Sequence, residues 1–118
     1  MTFEYTIKQQ KGFYGIALKG HLVDKSQTGK LYEELDELIA QGNLYYLIDL
    51  GGLSNLGSGG IQVLLHILTK ARNRGGEALV TNPPARIKNL LTITKLDTIF
   101  THVESAADAT KYFNQAQL

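Results

Sequence analysis

Apolar residues along this chain follow first a two-residue period and then a helical period, which predicts strands that alternate with helices. Residues 3–9 and 13–22 are two apolar segments separated by a turn at residues 11–12, so they predict an opening β-hairpin. Across residues 26–42 the apolar positions recur at the spacing of one helical face. The acidic side chains of this helix fall mainly on its other faces, where we expect them to be solvated.

The rest of the chain repeats the alternation of strand and helix. Residues 44–50 form an almost continuous apolar run, the composition of a central strand that is covered on both faces. A helix is predicted from about residue 61, with cations near its last turn and a stop at the glycine pair 75–76. Further along we predict a strand at 78–81, a helix opened by the turn 82–84, a strand at 99–103, and a terminal helix capped by Ser105, with Asp108 at its third position. The order β-β-α-β-α-β-α-β-α predicts one α/β domain over residues 1–118, with a mixed sheet and helices packed on it.

Composition and charge narrow the function classes. The hydrophobic fraction of 43% and the charged fraction of 19% are those of an ordinary globular domain. Twelve basic and eleven acidic residues give a net charge of +1, which is too balanced for a nucleic-acid surface. Cysteine is absent, which excludes disulfides and thiolate metal ligands. The chain shows neither a signal peptide nor an apolar run of about 18 residues, so we expect a cytoplasmic protein that does not insert into membranes.

The most unusual stretch is the glycine-rich segment 51–59, which we predict to be a loop between a strand and a helix. It lacks the lysine of a phosphate-binding P-loop, the third glycine of a dinucleotide fingerprint and the first glycine of a hydrolase elbow. Ser58 is predicted to cap the following helix, where its hydroxyl would also be accessible to a kinase. No histidine has a partner at metal-ligand spacing and no catalytic set can be assembled, so we expect neither a metal, a cofactor nor an enzymatic activity.

At this segment the chain resembles the STAS domains of anti-sigma factor antagonists. Their pattern is an apolar strand, Asp-Leu-Ser-Gly, an apolar residue, two variable residues, an apolar residue and Asp-Ser-Ser-Gly. The matching residues are Asp49, Leu50, Gly52, Leu53, Leu56, Ser58 and Gly60. The likeness continues through residues 75–76, 82–84 and 96–100 and covers nearly the whole chain. The chain departs from the pattern at Gly57, Gly59 and Val23, with Asp24 one place after the usual acidic position.

The resemblance implies a binding protein that is switched by phosphorylation. In this family the first serine after the aspartate, here Ser58, is phosphorylated by an anti-sigma factor that is also a serine kinase of the histidine-kinase ATPase type. Unphosphorylated antagonist binds this partner, and phosphorylation breaks the complex. The implied partner-binding residues are Asp24, Ser54, Asn55, Gly57, Ser58, Gly59, Gly60 and Gln62.

A second hypothesis is a STAS domain that is never phosphorylated and serves as an assembly subunit. Its partner would be the ATPase of a transporter or a signalling complex. The departures at Gly57 and Gly59 motivate this alternative. Under it, Gly57 is present because the backbone of a partner approaches closely there.

Overall fold

The computed structural model describes residues 2–23 and 25–116, which form the predicted alternation of strands and helices. The strands are β1 (Phe3–Gln9), β2 (Tyr14–Leu22), β3 (Tyr45–Leu56), β4 (Glu77–Thr81) and β5 (Thr101–His102). The helices are α1 (Gly29–Ala40), α2 (Ser58–Asn73), α3 (Ala85–Ile93) and α4 (Ala106–Ala116). The predicted element order and the α/β class are therefore confirmed.

The strands of the described residues form one mixed sheet in the order β1-β2-β3-β4-β5. The first pair is antiparallel and all other pairs are parallel. Each parallel pair is joined through a helix, as parallel strands require. The sequence alone had not defined this strand order.

Two apolar clusters cover the two faces of the sheet. Alternation along β3 sends Tyr46 and Ile48 to a large cluster that contains the buried faces of α1, α2 and α3. Leu47 points to the opposite face, where it meets Phe13 of the hairpin turn and Phe113 of α4. The rings of Phe13 and Phe113 lie 5.4 Å apart between centroids. Helix α4 thus packs alone on the second face of the described sheet.

Strand β3 is longer than predicted. The predicted loop at 51–59 is wrong for most of its length, because β3 continues to Leu56 and ends beside the start of α2. Two register shifts against β2 interrupt the strand, and Leu50, Leu53 and Leu56 remain buried across them. Each shift adds a residue to β3, so buried apolar residues recur every third residue instead of every second one. This part of the sequence therefore lacks the alternating pattern typical of a strand.

Two further boundaries differ from prediction. The last strand contains only Thr101 and His102, because the preceding Phe100 is buried in the core beside a 3-10 turn at Leu96–Thr98. Helix α1 begins at Gly29 after a short 3-10 turn, three residues later than predicted. The cap of α4 is confirmed, since Ser105 Oγ accepts a hydrogen bond of 3.2 Å from the amide of Asp108.

Candidate functional site

Ser58 is the first residue of α2 and is exposed. The capping position belongs to Gly57, whose backbone is extended, with φ −98° and ψ −171°, and whose carbonyl accepts a 2.9 Å bond from Ile61. The prediction that Ser58 is the N-cap is therefore wrong, because a capping side chain requires an extended backbone that Ser58 does not have. No hydrogen bond among the described residues uses the Ser58 hydroxyl. Its oxygen is free to react or to meet a partner.

The start of α2 is held by the end of β2. The amide of Gly57 donates to the carbonyl of Leu22 at 2.9 Å, and the amide of Gly59 donates to that of Val23 at 3.2 Å. These bonds satisfy two amides that a helix N-terminus otherwise leaves without partners. The backbone around Ser58 is therefore anchored to the sheet.

Close packing explains two of the glycines beside Ser58. A Cβ at Gly57 would lie 2.9 Å from Val23 Cγ1 and 3.1 Å from Val23 Cα. A Cβ at Gly60 would overlap the carbonyl oxygen of Leu22 and the side chain of Leu56. The close approach expected at Gly57 thus comes from the chain's own residue 23.

The predicted partner-binding residues that the structure describes lie together where β3 joins α2, but they differ in exposure. Ser54, Ser58 and Gln62 are exposed, whereas Asn55 and Gly57 are half-buried. Gly59 and Gly60 are buried, so they present few atoms to a partner. Gly60 shapes this surface by allowing α2 to approach the end of β2. Asp24 lies outside the described residues. We call the five described positions that are not fully buried the Ser58 surface: Ser54, Asn55, Gly57, Ser58 and Gln62.

A chain of hydrogen bonds adds two residues that sequence reasoning missed. Arg86 Nη1 of α3 donates to Asn55 Oδ1 at 3.0 Å, and Asn55 Nδ2 contacts His21 Nδ1 at 2.9 Å. A guanidinium can only donate hydrogen bonds, so the Asn55 atom that faces Arg86 is the amide oxygen. The amide nitrogen of Asn55 then faces His21 and donates to its imidazole. Arg86 thus brings a positive charge to Asn55. The only signal in the sequence was its place just after the 82–84 turn, which does not reveal a contact with β3.

The histidines lie in three separate surroundings. His21 meets Asn55, His66 stacks on Tyr32 with ring centroids 4.1 Å apart, and His102 is 3.7 Å from a carboxylate oxygen of Glu104. Across the described ranges 2–23 and 25–116, no three histidine or acidic side chains converge as metal ligands would. No helix in those ranges has both the length and the apolar character needed to cross a bilayer.

Comparison with known families agrees with this geometry. The family model described as "STAS domain" matches residues 4–109. The chain belongs to the STAS domain family. That match includes the five strands described above, except for the first residue of β1, and the start of α2, so the Ser58 surface lies within the family's common fold.

Several of the solved structures with the same fold are anti-sigma factor antagonists. One from Mycobacterium paratuberculosis is 19% identical, with a TM-score of 0.79 over 96% of this STAS domain and 95% of that chain. Unphosphorylated SpoIIAA is 15% identical, with a TM-score of 0.80 over 95% of this chain and 97% of its own. SpoIIAA of Bacillus in its phosphorylated form has a TM-score of 0.72 at 15% identity, over 92% of this chain and 98% of its own. No curated protein is significantly similar to this STAS domain in sequence.

Proposed function

We propose that this STAS domain is a cytoplasmic anti-sigma factor antagonist without catalytic activity of its own. It binds an anti-sigma factor that is also a serine kinase of the histidine-kinase ATPase type, and phosphorylation of Ser58 releases that partner. The observation that carries the proposal is the state of Ser58, which is exposed at the start of α2 with a hydroxyl that makes no hydrogen bond within the described part of the chain. Related support comes from SpoIIAA, an antagonist with a phosphorylated form.

Phosphate on Ser58 would change the surface more than the fold. It adds about −1.5 to −2 charges at pH 7, and the N-terminus of a helix tolerates negative charge because of the helix dipole. The same charge placed in a protein interface without a partner is costly, commonly by a few kcal/mol. Phosphorylation therefore weakens binding while the domain stays folded.

The proposal is tested with an anti-sigma factor of the same organism that is also a serine kinase of the histidine-kinase ATPase type. Wild type and Ser58→Ala should bind it with similar affinity, and Ser58→Glu should bind at least about tenfold more weakly, as expected for an unpaired interface charge. Thr69→Glu is the matched control, because it adds the same charge at an exposed position near the other end of α2. Intact-mass spectrometry with ATP should show one phosphoryl group on wild type and none on Ser58→Ala. Equal binding by Ser58→Glu and wild type would refute the switch.

The assembly-subunit hypothesis has one observation in its favour. Val23 occupies the space that a side chain at position 57 would need, so the aspartate of the family pattern does not fit without rearrangement. A kinase that depends on that aspartate would phosphorylate this chain poorly. If wild type binds a transporter ATPase and incorporates no phosphate with the anti-sigma factor kinases of its own organism, the assembly role replaces the switch.

A further inference from the structure

Strand β1 is an open edge of the described sheet. It pairs with β2 over residues 3–9 without a register shift, and it contains no proline. Natural sheets usually protect such an edge with a bulge, a proline, charged side chains or a covering element, because free amides and carbonyls can pair with another chain. Of the first three devices, β1 has only the charges of Glu4 and Lys8. The opposite edge strand, β5, has only two residues. Among the described strands, β1 is therefore the long edge available for pairing.

The hairpin bonds identify which backbone groups of β1 are free. Gln10 N donates to Phe13 O at 2.8 Å, and His21 N donates to Thr2 O at 2.8 Å. Because bonded pairs in an antiparallel ladder recur every second residue, the even positions between these pairs bond to β2. The odd positions, Phe3, Tyr5, Ile7 and Gln9, point their amides and carbonyls away from the sheet.

The two faces of β1 differ in chemistry. The odd side chains Phe3, Tyr5 and Ile7 pack against the main core on the α1 side. The even side chains Glu4, Thr6 and Lys8 are exposed on the other face. Along this exposed row the charge is therefore negative at Glu4, zero at Thr6 and positive at Lys8.

We propose that β1 pairs antiparallel with β1 of a second copy of this chain, about a two-fold axis through Thr6. In this register Glu4 faces Lys8 of the second copy, and Lys8 faces its Glu4. The free odd positions then hydrogen-bond in the pairs 3–9 and 5–7, and the charged pairs fall at non-bonded positions, where side chains are closest. A closed two-fold contact of this kind is the commonest arrangement of homo-oligomers.

Neighbouring registers lack this complementarity. Moving the axis to residue 4 or residue 8 places like charges opposite each other, which is destabilising. Moving it to residue 5 or residue 7 leaves Glu4 and Lys8 facing neutral side chains or the end of the strand. The charge pattern thus selects the register centred on Thr6.

The surroundings of the edge leave room for a second strand. A groove of about 700 Å³ separates β1 from α1 and is lined by backbone and side chains of residues 3–7 together with one face of the helix. Tyr5 Oη donates to Glu34 at 2.7 Å, so helix and strand are linked through side chains across the groove. Helix α1 therefore does not cover the free edge.

Charge reversal in the intact chain tests the proposal by sedimentation equilibrium. Wild type should dimerise, and Glu4→Lys or Lys8→Glu alone should weaken the dimer about 10- to 100-fold, because each converts two attractive pairs into two repulsive ones. The double variant Glu4→Lys, Lys8→Glu should recover wild-type affinity. An equimolar mixture of the two single variants should also recover it, because opposite charges then face each other at every contact.

Two further variants separate strand pairing from a general charge effect. Gln9→Pro removes an outward amide while sparing the ladder to β2, so it should weaken the dimer without unfolding the monomer. Lys88→Glu changes the same charge at an exposed position of α3 and should leave the dimer unchanged. A wild type that remains monomeric at about 1 mM, where weak dimers are still visible, overturns the proposal. So does a mixture of the single variants that gains no dimer.

Discussion

A side chain at position 57 should destabilise the domain through its contact with Val23. In Gly57→Ala the new Cβ would lie 2.9 Å from Val23 Cγ1, 3.1 Å from its Cα and 3.3 Å from its carbonyl oxygen. Overpacking of this kind typically costs about 1–3 kcal/mol. Alanine is also a poorer N-cap than glycine, by roughly 0.5–1 kcal/mol. We therefore expect a loss of about 2–3 kcal/mol, a large share of a total stability of about 5–15 kcal/mol.

The contribution of Val23 can be isolated with a double-mutant cycle. Val23→Ala removes the Cγ1 atom but keeps the Cα and the carbonyl, so it should recover about 1 kcal/mol of the loss caused by Gly57→Ala. The measurement is the free energy of unfolding in urea of wild type, the two single variants and the double variant, with the dependence of that free energy on urea concentration unchanged among them. Gly29→Ala is the control, since its Cβ would meet nothing within 4 Å at the start of α1. Additive effects of the two substitutions, or a Gly57→Ala protein as stable as wild type, would refute the packing argument.

Three other predictions concern phosphorylation, pH and capping. The double variant Val23→Ala, Gly57→Asp should be phosphorylated at Ser58 faster than Val23→Ala alone, because Val23→Ala makes room for a carboxylate that can orient the Ser58 hydroxyl. Equal phosphorylation rates by intact-mass spectrometry would contradict this. Burial, together with the bond donated to Glu34, raises the pKa of Tyr5 to about 12, so the native chain keeps a proton that the unfolded chain releases near pH 10. Stability should fall as pH rises from 10 towards 12, and Tyr5→Phe should flatten that fall in urea titrations; an identical fall in both proteins would count against it. Ser105→Ala should lower stability by about 1 kcal/mol through loss of the α4 cap, whereas exposed Thr92→Ala on α3 should change it less.

Local signals were sufficient for the element order and for the cap at Ser105. Both depend on residues close in sequence, so apolar periodicity and capping chemistry reveal them. The extent of β3 was hidden because glycine and asparagine are uncommon in strands and because the register shifts break the two-residue period. The role of Gly57 depends on Val23, which is distant in sequence.

For the candidate site as well, short sequence motifs were informative and contacts between residues distant in sequence were not. Family resemblance predicted a site at Ser58 and its neighbours, which remains a prediction; the structure brings the described ones to one end of β3. The contact between Arg86 and Asn55 depends on where α3 lies against the sheet, which no local pattern encodes. Likewise, the β1 edge became apparent only when the strand order was known.

The anchoring of Ser58 to β2 bears on how a partner would recognise it. Gly57 and Gly59 donate to backbone carbonyls at the end of a core strand, so these amides should exchange with solvent slowly, on the scale of sub-global opening. A surface held in this way is preorganised, and association loses little loop entropy there. Under the proposed function, a partner would meet Ser58 in a conformation already set by the sheet, and a phosphate on that serine would act through steric volume and charge at the contact itself.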